Sequence, residues 1–269
     1  MAVRIAILMP AYNEAELFST LAELAELHRD RGEAEICVFL VDDGSQVPLA
    51  HESLQAAAGT MPVVLARHVV NLGQGAAIET ARRLALDSRS TMKSRQIESG
   101  QAPFDVFVTM DADGQHRPSD VLELARQVTS GADVALGNRF AGASNVPRSR
   151  RLLLNVARIF ERITTGLALS DAHNGLRAFS PRAIARMRLV HNRMAHATEL
   201  THQISRASRA IGANCVANRD SDSDRLVVVE VPVSVRYTSE SRAKGQKASG
   251  AVTIVVDLLQ GFLFGKGSG

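Results

Sequence analysis

Tryptophan is absent from this chain and tyrosine occurs only twice, so aromatic residues make up 4% of its 269 positions. Proteins that hold single strands of nucleic acid by stacking bases need more rings than this. Nucleic-acid binding is therefore not expected, despite a formal charge of +3 and a pI near 9.2. The mild basic excess suits small anionic ligands such as nucleotides and phosphates, or a lipid surface. Cysteine is equally scarce: Cys37 and Cys215 are the only two, both among apolar positions. They read as reduced core residues rather than as a disulfide or metal pair. No charged leader with a cleavage site precedes the first apolar run, which points to a cytoplasmic protein. The C-terminal run Ala251 to Phe264 is too short and too interrupted to span a bilayer, which takes ~20 apolar residues. Three readings stay open for it: an interfacial helix that makes the protein peripheral on the cytoplasmic membrane face, a helix packed on the domain, or a contact between copies in a homo-oligomer.

What is present alternates. Val3 to Met9 reads as a strand, followed by a helix with Leu17, Leu21, Leu24 and Leu27 on one face. Ile36 to Val41 and Val63 to Ala66 read as further strands, with helical stretches at His51 to Ala58 and Ala76 to Leu86 after them. From Asp87 to Pro103 the pattern lapses into an exposed polar insertion. A helix over Ser119 to Ser130 has Pro118 in its first turn, and Ala132 to Gly137 is a strand. In the second half, basic residues cluster at Arg148, Arg150 and Arg151, and a helical pattern runs on to Leu167. Helices are expected at Pro181 to Met187 and Thr198 to Ile211, a polar turn at Asn218 to Asp224, and a strand at Leu226 to Val235. Strand, turn and helix repeating in this way predict an α/β fold with a mostly parallel sheet and right-handed crossovers.

Val106 to Arg117, VFVTMDADGQHR, is the stretch on which the functional reading turns. It is an apolar strand closed by Asp111 and Asp113, and in open α/β sheets the carboxyl ends of strands are where ligands sit. Side chains at i and i+2 share a face of an extended chain. Two converging carboxylates repel unless a cation lies between them, and Mg2+ or Mn2+ is the hard ion that oxygen ligands select. The competing reading is a solvated Asp-rich turn. Polar clusters close three other strands, at Pro10 to Glu14, Asp42 to Ser45 and Arg67 to Gly75, and parallel strands would bring all four clusters to one edge. A P-loop is excluded because no G-K-[ST] is present, and a dinucleotide fingerprint is excluded because no G-x-G-x-x-G follows the first strand.

In this order, PAYNE, VDDGS, N-x-G-x-G, DADGQH, GNRF and NGLRAF resemble the family 2 glycosyltransferases with the GT-A fold. The likeness is to the branch containing dolichol-phosphate mannose synthase and bacterial polyprenyl-phosphate glycosyltransferases, and it runs from Val3 to Leu259. It implies one Rossmann-like domain with helices flanking a mostly parallel central sheet. Residues 1–140 would form the nucleotide-sugar half, residues 141–248 a smaller acceptor-side portion, and residues 249–269 a C-terminal helix and tail. By the same resemblance Pro10, Tyr12, Glu14 and either Asp42 or Asp43 meet the base and ribose of a nucleotide-diphosphate sugar. Arg67, Asn71, Gly73 and Gly75 lie at the diphosphate, with Asp111 and Ala112 also at the donor. Asp111, Asp113 and Gln115 hold the metal, and Asp113 acts in catalysis. Many relatives carry Lys where this chain has Gln74, so Arg67 and Arg139 are the candidates to replace its charge.

Two acceptors fit. A saccharide hydroxyl needs a base, for which Asp171 and Glu199 are the nominees. A polyprenyl phosphate is already ionised and needs cations instead. Arg177, Arg236, Arg242, Lys244 and Lys247, with Tyr237 among them, resemble the basic segment that meets an acceptor phosphate, and they favour the lipid; otherwise they form a solvated basic loop. Outside the enzyme class, a nucleotide-sugar-binding protein would not require Asp111 and Asp113. A nucleotidyltransferase would need a Gly-rich basic loop where PAYNEAELF stands.

Overall fold

The computed structural model describes residues 2–29, 32, 34–88, 104–141, 171, 174–192, 195–211 and 225–236. Most of the expected insertion, Arg148 to Leu167, Cys215, the Asn218 to Asp224 turn, Tyr237, Arg242, Lys244, Lys247 and the C-terminal run lie outside these residues. No described helix is long and apolar enough to cross a membrane.

Strands β1 (Val3–Ala11), β2 (Ala34–Asp42), β3 (Val63–Arg67) and β4 (Val106–Thr109) pair in parallel around β1, which lies between β2 and β4. Beyond β4 come β5 (Val134–Asn138), β6 (Arg177–Phe179), β7 (Ser208–Ile211) and β8 (Leu226–Pro232), giving an eight-stranded sheet in the order β3-β2-β1-β4-β6-β5-β8-β7. β6 is antiparallel to both of its neighbours, while β5, β8 and β7 are parallel to one another. The sheet is thus mostly parallel, as expected, with one reversed strand near its middle.

Alternation in β1 shows how the core is divided. Ile5, Ile7 and Met9 face one side, where α1 (Leu17–Arg29), α2 (His51–Ala58) and α4 (Pro118–Thr129) bury Leu21, Leu24, Leu54, Val121 and Leu124. Ala6 and Leu8 face the other, against Ala77, Ile78 and Ala81 of α3 (Gln74–Asp87), Ile184 of α5 (Pro181–Arg186) and Leu200 of α6 (Ala195–Ala207). A strand covered on both faces reads as a continuous apolar run, which is why β1, β2 and β4 are legible in the sequence.

Two expected elements differ. The helix expected over Thr198 to Ile211 begins at Ala195 and stops at Ala207, and Ser208–Ile211 is a strand on the edge of the sheet. Its pairing, Ser208 with Leu226 and Ile211 with Val228, is non-local and overrides the helical pattern. The last strand ends at Pro232 rather than Val235, since proline has no N–H to continue a ladder. The chain then re-pairs, with Val235 bridging His116 in antiparallel fashion. NGLRAF, to which periodicity assigns no element, supplies the reversed strand β6.

Candidate active site

Because β1, β2, β3 and β4 are parallel, the turns that follow them open along one edge of the sheet. Asn13, in the left-handed region at φ 50°, ties the first two together. Its N–H donates to Ser45 Oγ and its Oδ1 accepts from the Gln46 N–H, both at 3.0 Å. Gly44 lets the third turn come close, because a Cβ there would lie 2.6 Å from the carbonyl carbon of Val70. The DADG turn packs on α1, where a Cβ at Gly114 would meet the Glu16 side chain at 3.3 Å. The reversed β6 adds a fifth group: Thr109 pairs with Arg177, so residues preceding β6 reach the same edge. Thr109 Oγ1 donates to the Gly175 carbonyl at 2.8 Å, and the Asp111 carboxylate lies directly over Gly175, where any Cβ would collide with it.

Pro10 is buried, while Tyr12 is 44% exposed and faces solvent at this edge, with Glu14 half-buried beside it. Asp42 and Asp43 are both buried and both engaged within the protein. Asp42 accepts from the Ser45 N–H at 2.9 Å and pairs with Arg67 at 3.6 Å. Asp43 accepts from the N–H groups of Leu72 and Gly73 at 3.0 and 2.7 Å, and from His68 Nδ1 at 2.6 Å; His68 Nε2 in turn reaches Thr80 Oγ1. The Asn71 to Gly75 loop is therefore held by Asp43. The N–H of Gly73 is spent on Asp43 and that of Gly75 on the Asn192 carbonyl at 2.8 Å, so neither amide of the expected phosphate cradle is turned outward. Asn71 is exposed, and Arg67 also donates to the Ser45 carbonyl at 3.1 Å.

At the centre, Asp113 accepts from the Gln115 N–H at 3.1 Å and from the Gln115 side-chain amide. Burial and the nearby Asp111 charge push the Asp113 carboxyl up, against the pull of Gln115 and His116. Burial pushes Asp111 up as well, but there His116, His196 and Arg177 outweigh it and hold the carboxyl below the usual range. The two acids thus repel each other and differ in proton affinity. Gln74 donates from Nε2 to Asp111 Oδ1 at 2.7 Å. Ala112, between the acids, is buried. The described residues contain no cluster of three or more His, Cys, Asp or Glu able to hold a metal. Two acids and one amide nevertheless fit Mg2+ or Mn2+, which bind through one or two carboxylates and complete their shell with substrate phosphate and water. Arg236 reaches this turn through its backbone, donating to the Gln115 carbonyl at 2.8 Å, while its guanidinium pairs with Glu23 of α1 at 2.7 Å.

Residues 6–188 match Glycosyl transferase family 2. The chain belongs to this family. This glycosyltransferase is 25% identical over 262 residues to an uncharacterized protein of Methanocaldococcus jannaschii, covering 96% of this chain and 92% of that one. It is 30% identical over 181 residues to the undecaprenyl-phosphate mannosyltransferase of Micrococcus luteus, covering 66% of each. Among solved structures, glucosyl-3-phosphoglycerate synthase of Mycobacterium tuberculosis superposes with a TM-score of 0.58 at 17% identity, over 96% of this chain and 80% of that one. The same synthase in complex with Mn2+, UDP and phosphoglyceric acid gives a TM-score of 0.56 at 13% identity, covering 95% and 78%. The shared feature is the fold.

Both nominated bases of this glycosyltransferase are occupied. Asp171 Oδ2 accepts from Arg139 Nε at 2.7 Å and from the Arg139 N–H at 2.9 Å, with Asn174 Nδ2 at 3.3 Å. Arg139 and Asp171 are thus one buried pair rather than separate participants. Glu199 accepts from the N–H groups of Val190 and His191 at 3.0 and 2.9 Å and clamps the loop before α6. Glu79 of α3 clamps the same loop through the Leu189 N–H at 3.2 Å while bound to Arg82 and Arg83. His196, in the first turn of α6 and carrying no motif in the sequence, lines a cavity beside Asp111 and Arg177.

Burial pushes the Glu79 carboxyl up, but Arg82, Arg83 and the Leu189 amide outweigh it and hold it below its ordinary value of 4.5. A carboxyl depressed by folding contributes stability that is complete above the unfolded value and lost as pH falls through the folded one. Glu79→Gln is therefore expected to flatten the acid side of the stability profile, read as melting temperature against pH. An acid limb as steep as that of the unchanged protein would count against the clamp.

Proposed function

We propose that this family 2 glycosyltransferase is an inverting, metal-dependent enzyme that moves a sugar from a nucleotide diphosphate to a polyprenyl phosphate. The observation that carries the acceptor is the occupation of Asp171 by Arg139 and of Glu199 by two backbone amides. A hydroxyl acceptor needs a base to take its proton, whereas a lipid phosphate arrives with an anionic oxygen. That oxygen attacks the anomeric carbon from the face opposite the leaving group. The bond from this carbon to the diphosphate oxygen breaks, and its electron pair leaves with the nucleoside diphosphate, so the configuration inverts.

Asp111, Asp113 and Gln115 would hold Mg2+ or Mn2+, whose Lewis acidity would neutralise charge on the departing diphosphate. Tyr12, exposed at this edge, and Glu14 are the residues assigned to the base and ribose. Arg177, buried at the head of β6, supplies positive charge beside Asp111. Its side chain and the basic residues that follow Arg236 are the cations assigned to the acceptor phosphate. A lipid acceptor further places the protein at a membrane surface. The relative from Micrococcus luteus, named for undecaprenyl phosphate, supports the same choice.

Incubating the full chain with UDP-, GDP- and dTDP-sugars, Mn2+ and a polyprenyl phosphate is expected to yield a polyprenyl monophosphosugar of inverted configuration. EDTA should stop its formation. Transfer to a saccharide hydroxyl with none to the lipid would replace the acceptor assignment, and turnover undiminished by EDTA would remove the metal.

A further inference from the structure

We propose that the turns following β2 and β3 carry the apolar surface with which this protein enters a lipid bilayer, and that Val47, Val69, Val70 and Leu72 are the side chains that insert. The choice of lipid as the occupant rests on the polyprenyl phosphate acceptor proposed above. Among the described residues seven large hydrophobic side chains are exposed, and these four are the majority of them. Tyr12, a fifth, is on the adjoining turn and is assigned to the base. Exposed hydrophobic residues scattered singly need no explanation, but gathered on one part of a surface they mark an interaction site.

The two turns form one surface because they are packed together. The close approach of Gly44 to the Val70 backbone joins them, and Arg67 donates across to the Ser45 carbonyl at 3.1 Å. Val69 is 95% exposed and Val47 78%, yet neither turn hangs free. Asp43 accepts from the N–H groups of Leu72 and Gly73 and from His68 Nδ1, while His68 Nε2 is fixed to Thr80 Oγ1 of α3. The chain is thus tied down on both sides of Val69 and Val70, and a segment already held in place loses little conformational freedom when it binds.

The composition of this surface favours lipid over another protein. Neither Ser45 to Ala50, SQVPLA, nor Val69 to Ile78, VVNLGQGAAI, contains an Asp, Glu, Lys or Arg, in a chain where these make up 22% of the residues. Charged side chains resist entry into hydrocarbon most strongly, so their absence from both turns removes the main obstacle to insertion. Protein interfaces are enriched in aromatic residues, Met and Arg, and neither segment supplies one. Both turns also border the edge that carries Asp111 and Asp113. A bilayer touching them lies beside the place where an acceptor headgroup must arrive while its polyprenyl chain stays in the membrane.

Flotation of the full chain with vesicles of phosphatidylcholine and phosphatidylglycerol tests this, in salt high enough to screen surface charge so that insertion is what is read. The unchanged chain should float with the vesicles, and Val69→Asp and Val47→Asp should each lower its partition coefficient by about tenfold or more. Transfer to polyprenyl phosphate embedded in those vesicles should fall in step. Transfer to a short, water-soluble polyprenyl phosphate should not, nor should calorimetric affinity for UDP or GDP, which reports an intact fold. If Val69→Asp weakens nucleotide binding, Val47→Asp on the other turn carries the same comparison. No flotation of the unchanged chain, or equal flotation of both variants, would overturn the proposal. So would a dimer that dissociates in the variants without any flotation, since the occupant would then be a second copy. Flotation as expected, with no transfer to either form of the acceptor, would overturn the transfer reaction and leave the surface standing.

Discussion

Replacing Asp113 with alanine is expected to abolish metal-dependent transfer, a loss on the order of a thousandfold or more in kcat, since a Lewis acid at the leaving group is worth several kcal/mol. The same change should not weaken the protein when no metal is added. Burial and the Asp111 charge raise the Asp113 carboxyl, so its ionised form is unfavourable in the folded state. A group raised on folding contributes stability below its unfolded value and loses it as pH climbs through the folded value. In its ionised form Asp113 is a repulsive partner for Asp111, and its removal relieves that repulsion. Melting curves without metal should show Asp113→Ala at least as stable as the unchanged chain. Added Mn2+ with a nucleotide sugar should raise the melting temperature of the unchanged chain alone. Full turnover in Asp113→Ala would sink the metal assignment. A lower melting point without metal would show that Asp113 serves the fold instead.

The opposite pattern is expected at Asp171. Its carboxylate lies against the buried Arg139 guanidinium, with side-chain exposures of 2% and 10%. Removing one partner of a buried pair strands the other charge, which costs about 3–5 kcal/mol. Asp171→Ala should accordingly lower the urea midpoint strongly, and activity should fall with the folded fraction. Arg139→Ala should be destabilising as well, and the double variant should lose less than the sum of the two, because neither charge is then left behind. A catalytic base predicts otherwise: Asp171→Ala would keep its stability and lose turnover, and the basic limb of the rate profile would move. That result would return the saccharide hydroxyl to the front as acceptor.

These two acids show how unevenly the site could be read beforehand. Asp111 and Asp113 announce themselves because they end an apolar run, and a strand end is a place where ligands gather. Asp171 and Glu199 look no different in sequence from free acids. Their partners, Arg139 and the amides of Val190 and His191, are found only when the chain is folded. Glycine at 73 and 75 likewise suggested a phosphate cradle, yet the amide of Gly73 is turned to Asp43 and that of Gly75 to Asn192. His196 stands in a stretch with no recognisable spacing, and no local signal would have selected it.

From the amino-acid order alone come the alternation of strand and helix, the parallel sheet that gathers the motif turns at one edge, and the acidic pair at its centre. These follow from short-range physics: apolar runs buried on both faces become strands, and their polar ends must emerge together when the strands run the same way. Folding alone decided that NGLRAF reverses direction between β4 and β5, that residues 208–211 leave a helical pattern for the sheet edge, and that His116 meets Val235. It also decided which charges are spent on one another and which line the cavity. Each of these depends on contacts between residues far apart in the chain, and neither periodicity nor composition encodes distance across the fold.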